Sequence, residues 1–402
     1  MPKFIRPWCR HFQRNDMPAD HICDAKVALI GEAPGRREDE DEYGRPFVGP
    51  SGYDLDTWWR PLGLRRTELY IDNCHAVRPP GNHLELVPPA ELKSSIEAML
   101  ARLRRQPVNV IVPTGNTALR ALFPGEHPAR NITDWRGSIL TWEGRKCIPT
   151  IHPAATQRQK VLTKLCVADW KRIAEERGTP SFVPPLHRCV IDPSPRERYE
   201  WTFAARAYFS ETWKRPSVAP PRVLSVDVEN IRGGDHQLTC VGLSFDPSWS
   251  ITVSTVERDY TSHSTFMDAQ LWLIDMLSAE WPIIGQNFMT DLYKLVMWYP
   301  ALRGPLQAAY VWDLMEMAHL LDPNDGGDTR EGSPDEPEEE GVRIGMYDLA
   351  TLTSLYTREP YYKWMSSSGS WEQRQMYNGL DACCQREIFD PLWLRLNERG
   401  LV

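Results

Sequence analysis

Residues 31–52 read GEAPGRREDEDEYGRPFVGPSG. They follow an apolar run, KVALI at 26–30, that reads as a buried strand. They precede YDLDTWW at 53–59, an amphipathic run that reads as a helix. A glycine- and proline-bearing loop leaving the C-terminal end of a parallel strand is where open α/β sheets place ligands. Glycine there lets the backbone approach a phosphate closely. Working outward, LYIDN at 69–73 and VNVIVPTG at 108–115 read as further buried strands. PPAELKSSIEAMLARLRR at 88–105 reads as a helix, with prolines at its start and bases at its end to complement the helix dipole. NTALRALF at 116–123 reads as a second helix, entered through Gly115-Asn116. SILTW at 138–142 and KCIPTIH at 146–152, joined by Glu143-Gly144, read as a strand pair. Alternating strands and helices over 25–177 predict a three-layer α/β domain.

The same stretch resembles the first motif of the family 4 uracil-DNA glycosylases: GEAPG, then ED, then GRPFVG, then a glycine opening a helix, with an apparent two-residue insertion in the acidic loop. Asn73 at a strand end, VRPPGN at 77–82, Trp135-Arg136-Gly137 and IHPAATQR at 151–158 resemble the family's later elements, in the family's order. The resemblance spans residues 20–177 and implies a DNA-binding, uracil-excising αβα domain. It implies that Gly31, Ala33, Pro34 and Gly35 form the substrate loop. Asn73 would read the Watson–Crick edge of a flipped base, Phe47 would stack on its face, and His152 would donate to the uracil O2. Glu32 would stabilise the cationic sugar or orient water, and Arg158 would hold DNA or fill the vacated stack. Read as bare residues, each has a plainer role: His152 a loop histidine, Phe47 a core residue, Asn73 a turn cap. Ala33 stands where family 1 glycosylases carry a water-activating aspartate, so no strong general base is evident. The acids from Glu38 to Glu42 are expected to form a solvated loop.

Cysteines lie at 9, 23, 74, 147, 166, 189, 240, 383 and 384, with no CxxC and no secretory signal, which disfavours a disulfide framework. Family 4 members usually hold an iron–sulfur cluster on four cysteines. Here Phe12 stands where a partner of Cys9 would be, Val77 precedes Arg78-Pro79-Pro80, and Ser94 and Ser95 occupy the helix region. At most one ligand survives, so no iron–sulfur cluster is expected, and Cys74 reads as a half-buried thiol at a strand end.

The chain has 402 residues, enough for two domains, with 42% hydrophobic residues, enough for a packed core. No apolar stretch approaches the ~20 residues of a membrane span. The expectation is a soluble, intracellular (cytoplasmic) protein with no membrane partner. The net charge of −8 at first argues against nucleic-acid binding. Its distribution reverses that inference. Residues 322–340 hold nine acids against one base, Arg330, so the remainder is neutral. Residues 1–180 hold 27 Lys or Arg against 22 Asp or Glu, a local excess of +5. A DNA-binding face needs a basic patch, not a basic total.

PSFVPP, DPSP and KRPSVAPP punctuate 178–221, which reads as a linker with one helix at Arg196 to Tyr208. From 222 a second domain begins. VLSVDVEN, LTCVGLSF and WSITVS read as successive strands, followed by helices at Phe266–Leu277 and Leu292–Trp298. Residues 322–342 read as a polar acidic loop. VLSVDVEN places Asp227 and Glu229 two apart on a strand, hence on one face, where they repel unless a cation sits between them. Asn287 and Asp291, and Tyr377 and Asp381, stand four apart, one helical turn each. In order, DxE, NxxxD and YxxxD resemble the three motifs of the DEDDy proofreading exonucleases built into family A DNA polymerases, over residues 188–402. The resemblance implies Asp227, Glu229, Asp291 and Asp381 as ligands of two divalent metals, Mg²⁺ or Mn²⁺. Tyr377 would orient the attacking water and Asn287 would touch substrate.

The expected fold class is α/β: a three-layer αβα glycosylase-like domain (1–177), a linker (178–221) and an RNase H-like (DnaQ-type) exonuclease domain with a mixed sheet (222–402). The expected function is bifunctional, uracil excision plus 3′–5′ hydrolysis, acting on uracil-bearing DNA and on 3′ ends, single strands preferred. One rival makes the first domain a DNA-binding module for a proofreading subunit. Another makes the whole chain a structural replication subunit. No polymerase motif is present, and the sequence stops at Val402 where a family A polymerase would continue, so two expectations stand: a piece of a longer polymerase, or a protein whose partner is a polymerase acting in trans.

Overall fold

The computed structural model describes residues 25–41, 45–125, 131–210, 219–230, 237–323, 345–367 and 370–402. Cys9, Cys23, Phe12, Glu42 and the acids from Asp325 to Glu340 lie outside the described residues. The chain divides into two compact units, with the boundary between Val183 and Pro184. No helix among the described residues is long and apolar enough to cross a membrane.

In the first unit, strands β1 (Val27–Gly31), β2 (Leu69–Asn73), β3 (Val110–Pro113), β4 (Leu140–Trp142) and β5 (Arg145–Cys147) are ordered β2-β1-β3-β5-β4. All are parallel except β4, which turns back on β5. Every residue of β1, β2 and β3 is buried, as strands covered on both faces must be. The helices are α1 (Arg36–Asp39), α2 (Pro50–Trp59), α3 (Pro89–Arg104), α4 (Asn116–Leu122), α5 (Ile132–Trp135), α6 (Pro153–Arg158) and α7 (Leu162–Glu176). Helix α7 buries Leu162, Leu165, Cys166, Asp169, Trp170 and Ile173 at helical spacing. Its Trp170 meets Trp59 of α2 edge-on, with ring centroids 5.2 Å apart.

Asp169 is the one acid in that buried stripe. Its carboxylate accepts from the Arg136 guanidinium (Nε to Oδ2, 3.1 Å) and from Thr150 Oγ1 (2.9 Å). Both partners of the ion pair are almost fully buried, at 2% and 1% side-chain exposure. Removing one member of a buried pair strands the other charge. Asp169→Ala should therefore destabilise the unit by about 3–5 kcal/mol. Urea denaturation followed by tryptophan emission measures this. Combining Asp169→Leu with Arg136→Met should lose much less, because the stranded charge is gone. Equal losses in both variants would refute the electrostatic account.

In the second unit, strands β6 (Arg188–Ile191), β7 (Leu224–Asn230), β8 (Leu238–Asp246), β9 (Trp249–Ser254), β10 (Ile283–Gly285) and β11 (Val311–Asp313) form a mixed sheet, β11-β10-β7-β8-β9-β6. The helices are α8 (Pro195–Phe209), α9 (His263–Leu277), α10 (Phe288–Trp298), α11 (Arg303–Ala308), α12 (Leu314–Leu321), α13 (Leu349–Tyr356) and α14 (Trp371–Glu398). Leu224, Val226 and Val228 join a core with residues of α8, α9 and α10. The alternate residues Ser225, Asp227 and Glu229 fall on the opposite face by the pleat. Helix α14 packs across β7, β8 and β9. Ser225 Oγ accordingly donates to Gln385 Oε1 of α14 at 3.0 Å. A Cβ on Gly242 of β8 would lie 2.5 Å from Asn378 Oδ1, so the close approach of helix and sheet needs glycine there.

Residues 188–209, expected as linker, are instead part of the second unit. Strand β6 pairs in parallel with β9, Arg188 opposite Trp249, and Trp201 and Ala205 of α8 sit fully buried in the core. The flanking prolines that suggest a linker only bound the elements: Pro195 is the first residue of α8, behind a Ser194–Glu197 capping box.

Candidate active sites

The first site gathers at the carboxyl ends of the parallel strands. The β1–β2 register sets Gly31 opposite Asn73. Both lie where the strands open, and a Cβ on Gly31 would fall 2.2 Å from Asn73 Oδ1 and 2.7 Å from Phe47 Cζ. The bare glycine is what lets these three meet. Asn73 is 2% exposed, and its Oδ1 has no hydrogen-bond partner among the described residues. A buried, unpaired amide oxygen is costly unless a ligand donates to it.

Phe47 adopts a positive φ of 53°, a strained conformation for a bulky side chain, costing about 1–3 kcal/mol. Its backbone is clamped. Arg66 donates from its guanidinium to the Phe47 carbonyl at 2.8 Å and also to that of Pro46. Glu38 Oε1 accepts from the Val48 and Gly49 amides at 3.1 and 3.0 Å. So Glu38, expected in a solvated loop, pins the motif loop at the start of α2. Asp41, also in that run, pairs with Arg45 at 2.8 Å.

His152 caps α6: its Nδ1 accepts from the Ala154 amide at 3.2 Å. An imidazole accepting at Nδ1 carries its proton on Nε2, which is then a donor. Burial pushes its pKa below the ordinary histidine value, against the pull of Glu32 and Glu38, so the neutral donor form is favoured. The His152 ring lies 5.8 Å from that of Phe47, centroid to centroid. Gly115, at φ 90°, comes within 3.4 Å of His152 Cβ by its own virtual Cβ. Glu32 Oε2 accepts from Thr117 Oγ1 at 2.5 Å. Ala33, Pro34 and Gly35 continue the half-buried loop, and Arg158 is exposed at the end of α6.

The second site lies on the α14-facing side of β7. One oxygen from each of Asp227, Glu229 and Asp381 lies within 4.8 Å of the others. Asp227 is held by two amide donors of α14: Asn378 Nδ2 at 2.7 Å and Gln385 Nε2 at 2.8 Å. Burial, then repulsion from Asp381 and Glu229, pushes the Asp227 carboxyl well up. Burial and Asp381 push that of Glu229 up to about 7. Three crowded carboxylates, Asp227 and Asp381 buried and Glu229 half-buried, form an all-oxygen donor set, and a hard divalent cation relieves their repulsion. These residues fit such a cation. Asp291, on the first turn of α10, is outside this tight trio. It pairs with Lys294 at 3.3 Å, and burial pushes it up to about 6. Asn287 is not inside the helix but caps it in the left-handed region at φ 51°. Its amide and that of Phe288 donate to Asp313 at 2.9 and 2.6 Å.

Residues 19–173 match the profile of the uracil DNA glycosylase superfamily. The type-4 uracil-DNA glycosylase of Thermotoga maritima is 38% identical over 138 residues, 34% of this chain and 69% of that protein. That of Sulfurisphaera tokodaii is 34% identical over 181 residues, 42% of this chain and 78% of that protein. The chain belongs to the type-4 uracil-DNA glycosylase family. Among solved structures, the EXO domain of Nibbler from Aedes aegypti is similar to 55% of this chain over 95% of its own length, at 14% identity and a TM-score of 0.34. The type-4 glycosylase match falls on the first unit; the second is an α/β unit built on a six-stranded mixed sheet.

In this glycosylase-family unit, Gly31, Phe47, Asn73 and His152 converge, with Glu32 beside them. Cys74 is fully buried rather than half-buried, and burial pushes its thiol up. Several site residues are invisible to motif reading. Arg66 and Thr117 act on the first site, and Tyr362, Lys363, Asn378 and Gln385 on the second. Only amphipathic placement of Asn378 and Gln385 on the Asp381 face of one helix could have signalled any of them.

Arg66 gives a test of the clamp. Arg66→Met removes both carbonyl contacts that hold Phe47 at positive φ. Single-turnover uracil release should fall by up to about 10²-fold, the scale of a misplaced binding group. Arg66→Lys should restore only part, since one ammonium cannot fork to two carbonyls. An unchanged rate in Arg66→Met would mean that Phe47 holds its position without the clamp.

Proposed function

We propose that the protein is a bifunctional DNA hydrolase: the first unit excises uracil, and the second removes nucleotides from 3′ ends with two divalent ions. The two activities would belong to separate units of the chain, which divides between Val183 and Pro184. DNA is the shared substrate, single strands preferred, and a polymerase acting in trans is the natural source of 3′ ends.

Asn73 carries the first half of this reading. Its buried Oδ1, without a partner among the described residues, suits the N3–H of a flipped uracil, whose ring would stack on Phe47. Breaking the N-glycosidic bond leaves positive charge on the sugar and negative charge on the base. A preorganised Nε2–H on His152 donates to the oxygen where that negative charge grows. Glu32, held by Thr117, places negative charge toward the cationic sugar. Water then adds to the anomeric carbon and yields an abasic site and free uracil.

The carboxylate trio carries the second half. Bound divalent ions would supply charge neutralisation for attacking and departing oxygens. Asp227, Glu229, Asp381 and, by extension, Asp291 would hold them. Tyr377 would hydrogen-bond the attacking water.

One experiment tests both halves. A 5′-labelled single-stranded oligonucleotide with one uracil is incubated with protein in Mg²⁺ or in EDTA, then treated with alkali. Mg²⁺ should give a ladder shortened from the 3′ end, and EDTA a single break at uracil. Binding without either product would make the protein a DNA-binding module.

A further inference from the structure

Lys363 opens a one-turn 3-10 segment, Lys363–Ser367, and its side chain is only 15% exposed. Its ammonium donates to both oxygens of Asp381, at 2.6 and 2.7 Å, and to Tyr377 Oη at 3.0 Å. It also stands 4.7 Å from the Tyr377 ring centroid and 5.2 Å from that of Tyr362. Tyr362 in turn donates its hydroxyl to Asp381 Oδ1 at 2.6 Å. This is a nearly complete site for a monovalent cation: two carboxylate oxygens, a phenol oxygen and two aromatic faces.

The charge count agrees. The four acids Asp227, Glu229, Asp291 and Asp381 face two ammoniums, on Lys294 and Lys363. Asp313, which also faces Asp291, is engaged by the backbone amides of Asn287, Phe288 and Met315. With every acid ionised and Asp313 counted, since neutral backbone amides do not cancel its charge, five negative charges against two positive leave three, less than the charge of two divalent ions. An ion drawing on Asp381 has to take oxygens the ammonium already holds, whereas an ion held by Asp227 and Glu229 alone does not.

We propose that Lys363 is a built-in competitor for one of the two divalent ions. Resting on the exonuclease reading above, it makes the ions unequal. One binds the DNA-free protein; the other binds well only once Lys363 withdraws. A lysine suits this role. Its flexible stem can swing aside without moving the backbone, and a DNA phosphate would give its ammonium another partner.

The test is Mn²⁺ binding to the metal-free full-length chain without DNA, by calorimetry and by the electron paramagnetic resonance of free Mn²⁺. Wild type should bind one ion tightly. Lys363→Gln and Lys363→Met should bind two, the second at least about tenfold tighter than any second ion in wild type, since a positive charge at contact distance has gone. Lys363→Arg, which keeps the charge, should stay at one. Asp227→Ala should lose the tight ion, which locates it. Two ions of similar affinity in wild type, unchanged in Lys363→Met, would overturn the competitor role and leave the exonuclease reading standing. No Mn²⁺ bound by wild type or by either neutral variant, with melting curves intact, would remove the metal site and this inference with it.

Discussion

Asp227→Ala should reduce 3′–5′ degradation to background while uracil excision in EDTA continues at the wild-type rate. Asp227 is the member of the trio fixed most firmly, by Asn378 and Gln385 from α14. Its loss removes a cation ligand that no neighbouring side chain replaces, because Glu229 and Asp381 already belong to the same set. The substitution also leaves two buried amide donors unpaired, each worth about 1–3 kcal/mol. A melting curve of the variant must therefore accompany the assay, and the intact glycosylase activity serves as an internal control for the other unit. Single-stranded DNA shortened at the normal rate by a folded Asp227→Ala protein would show that the chemistry lies elsewhere.

His152→Ala should slow base release by roughly 10²–10³-fold, the usual effect of losing one donor to a developing anion. Asn73→Ala should do comparable damage through recognition of the base. The pH profile separates a donor histidine from an acid that must be charged. The active form is neutral, with Nδ1 accepting from the Ala154 amide and the proton on Nε2. Burial lowers its pKa below the usual 6.5 or so, so the neutral form persists as pH falls and is lost only below that value. Single-turnover excision in EDTA should thus be flat from pH 8 down to about 6.5 and decline only in more acid solution. A rate that rises as pH drops from 8 to 6.5 would require a protonated imidazole and would exclude this role.

Strand ends and short motifs made much of both sites legible. Gly31, Asn73 and His152 each end or follow an apolar run, so placing them at one edge of a parallel sheet requires only the periodicity of the strands and their order. Asp227 and Glu229 share a face by the period of two, and Tyr377 and Asp381 share one by the helical turn. In residues 188–209 the helix was legible and strand β6 was not. A four-residue strand between proline-rich segments carries too little pattern, and β6 exists because it pairs with β9, far along the chain.

The sequence by itself determined the two α/β units, the glycosylase motifs of the first and the ordered carboxylates of the second. Those signals are local: apolar period, glycine at a strand end, acids spaced by one turn. Only the tertiary structure decided what surrounds them. Arg66 reaches Phe47 across 19 residues, Thr117 reaches Glu32 across 85, and Asn378 and Gln385 reach Asp227 across 151 and 158. Lys363 has no motif at all; its ammonium meets Asp381 because a 3-10 turn happens to open beside α14. Hydrogen bonds between side chains so far apart in sequence depend on sheet order and helix packing, which no local pattern encodes. The groups proposed here as catalytic are therefore readable from the chain, and the residues that contact and hold them are not.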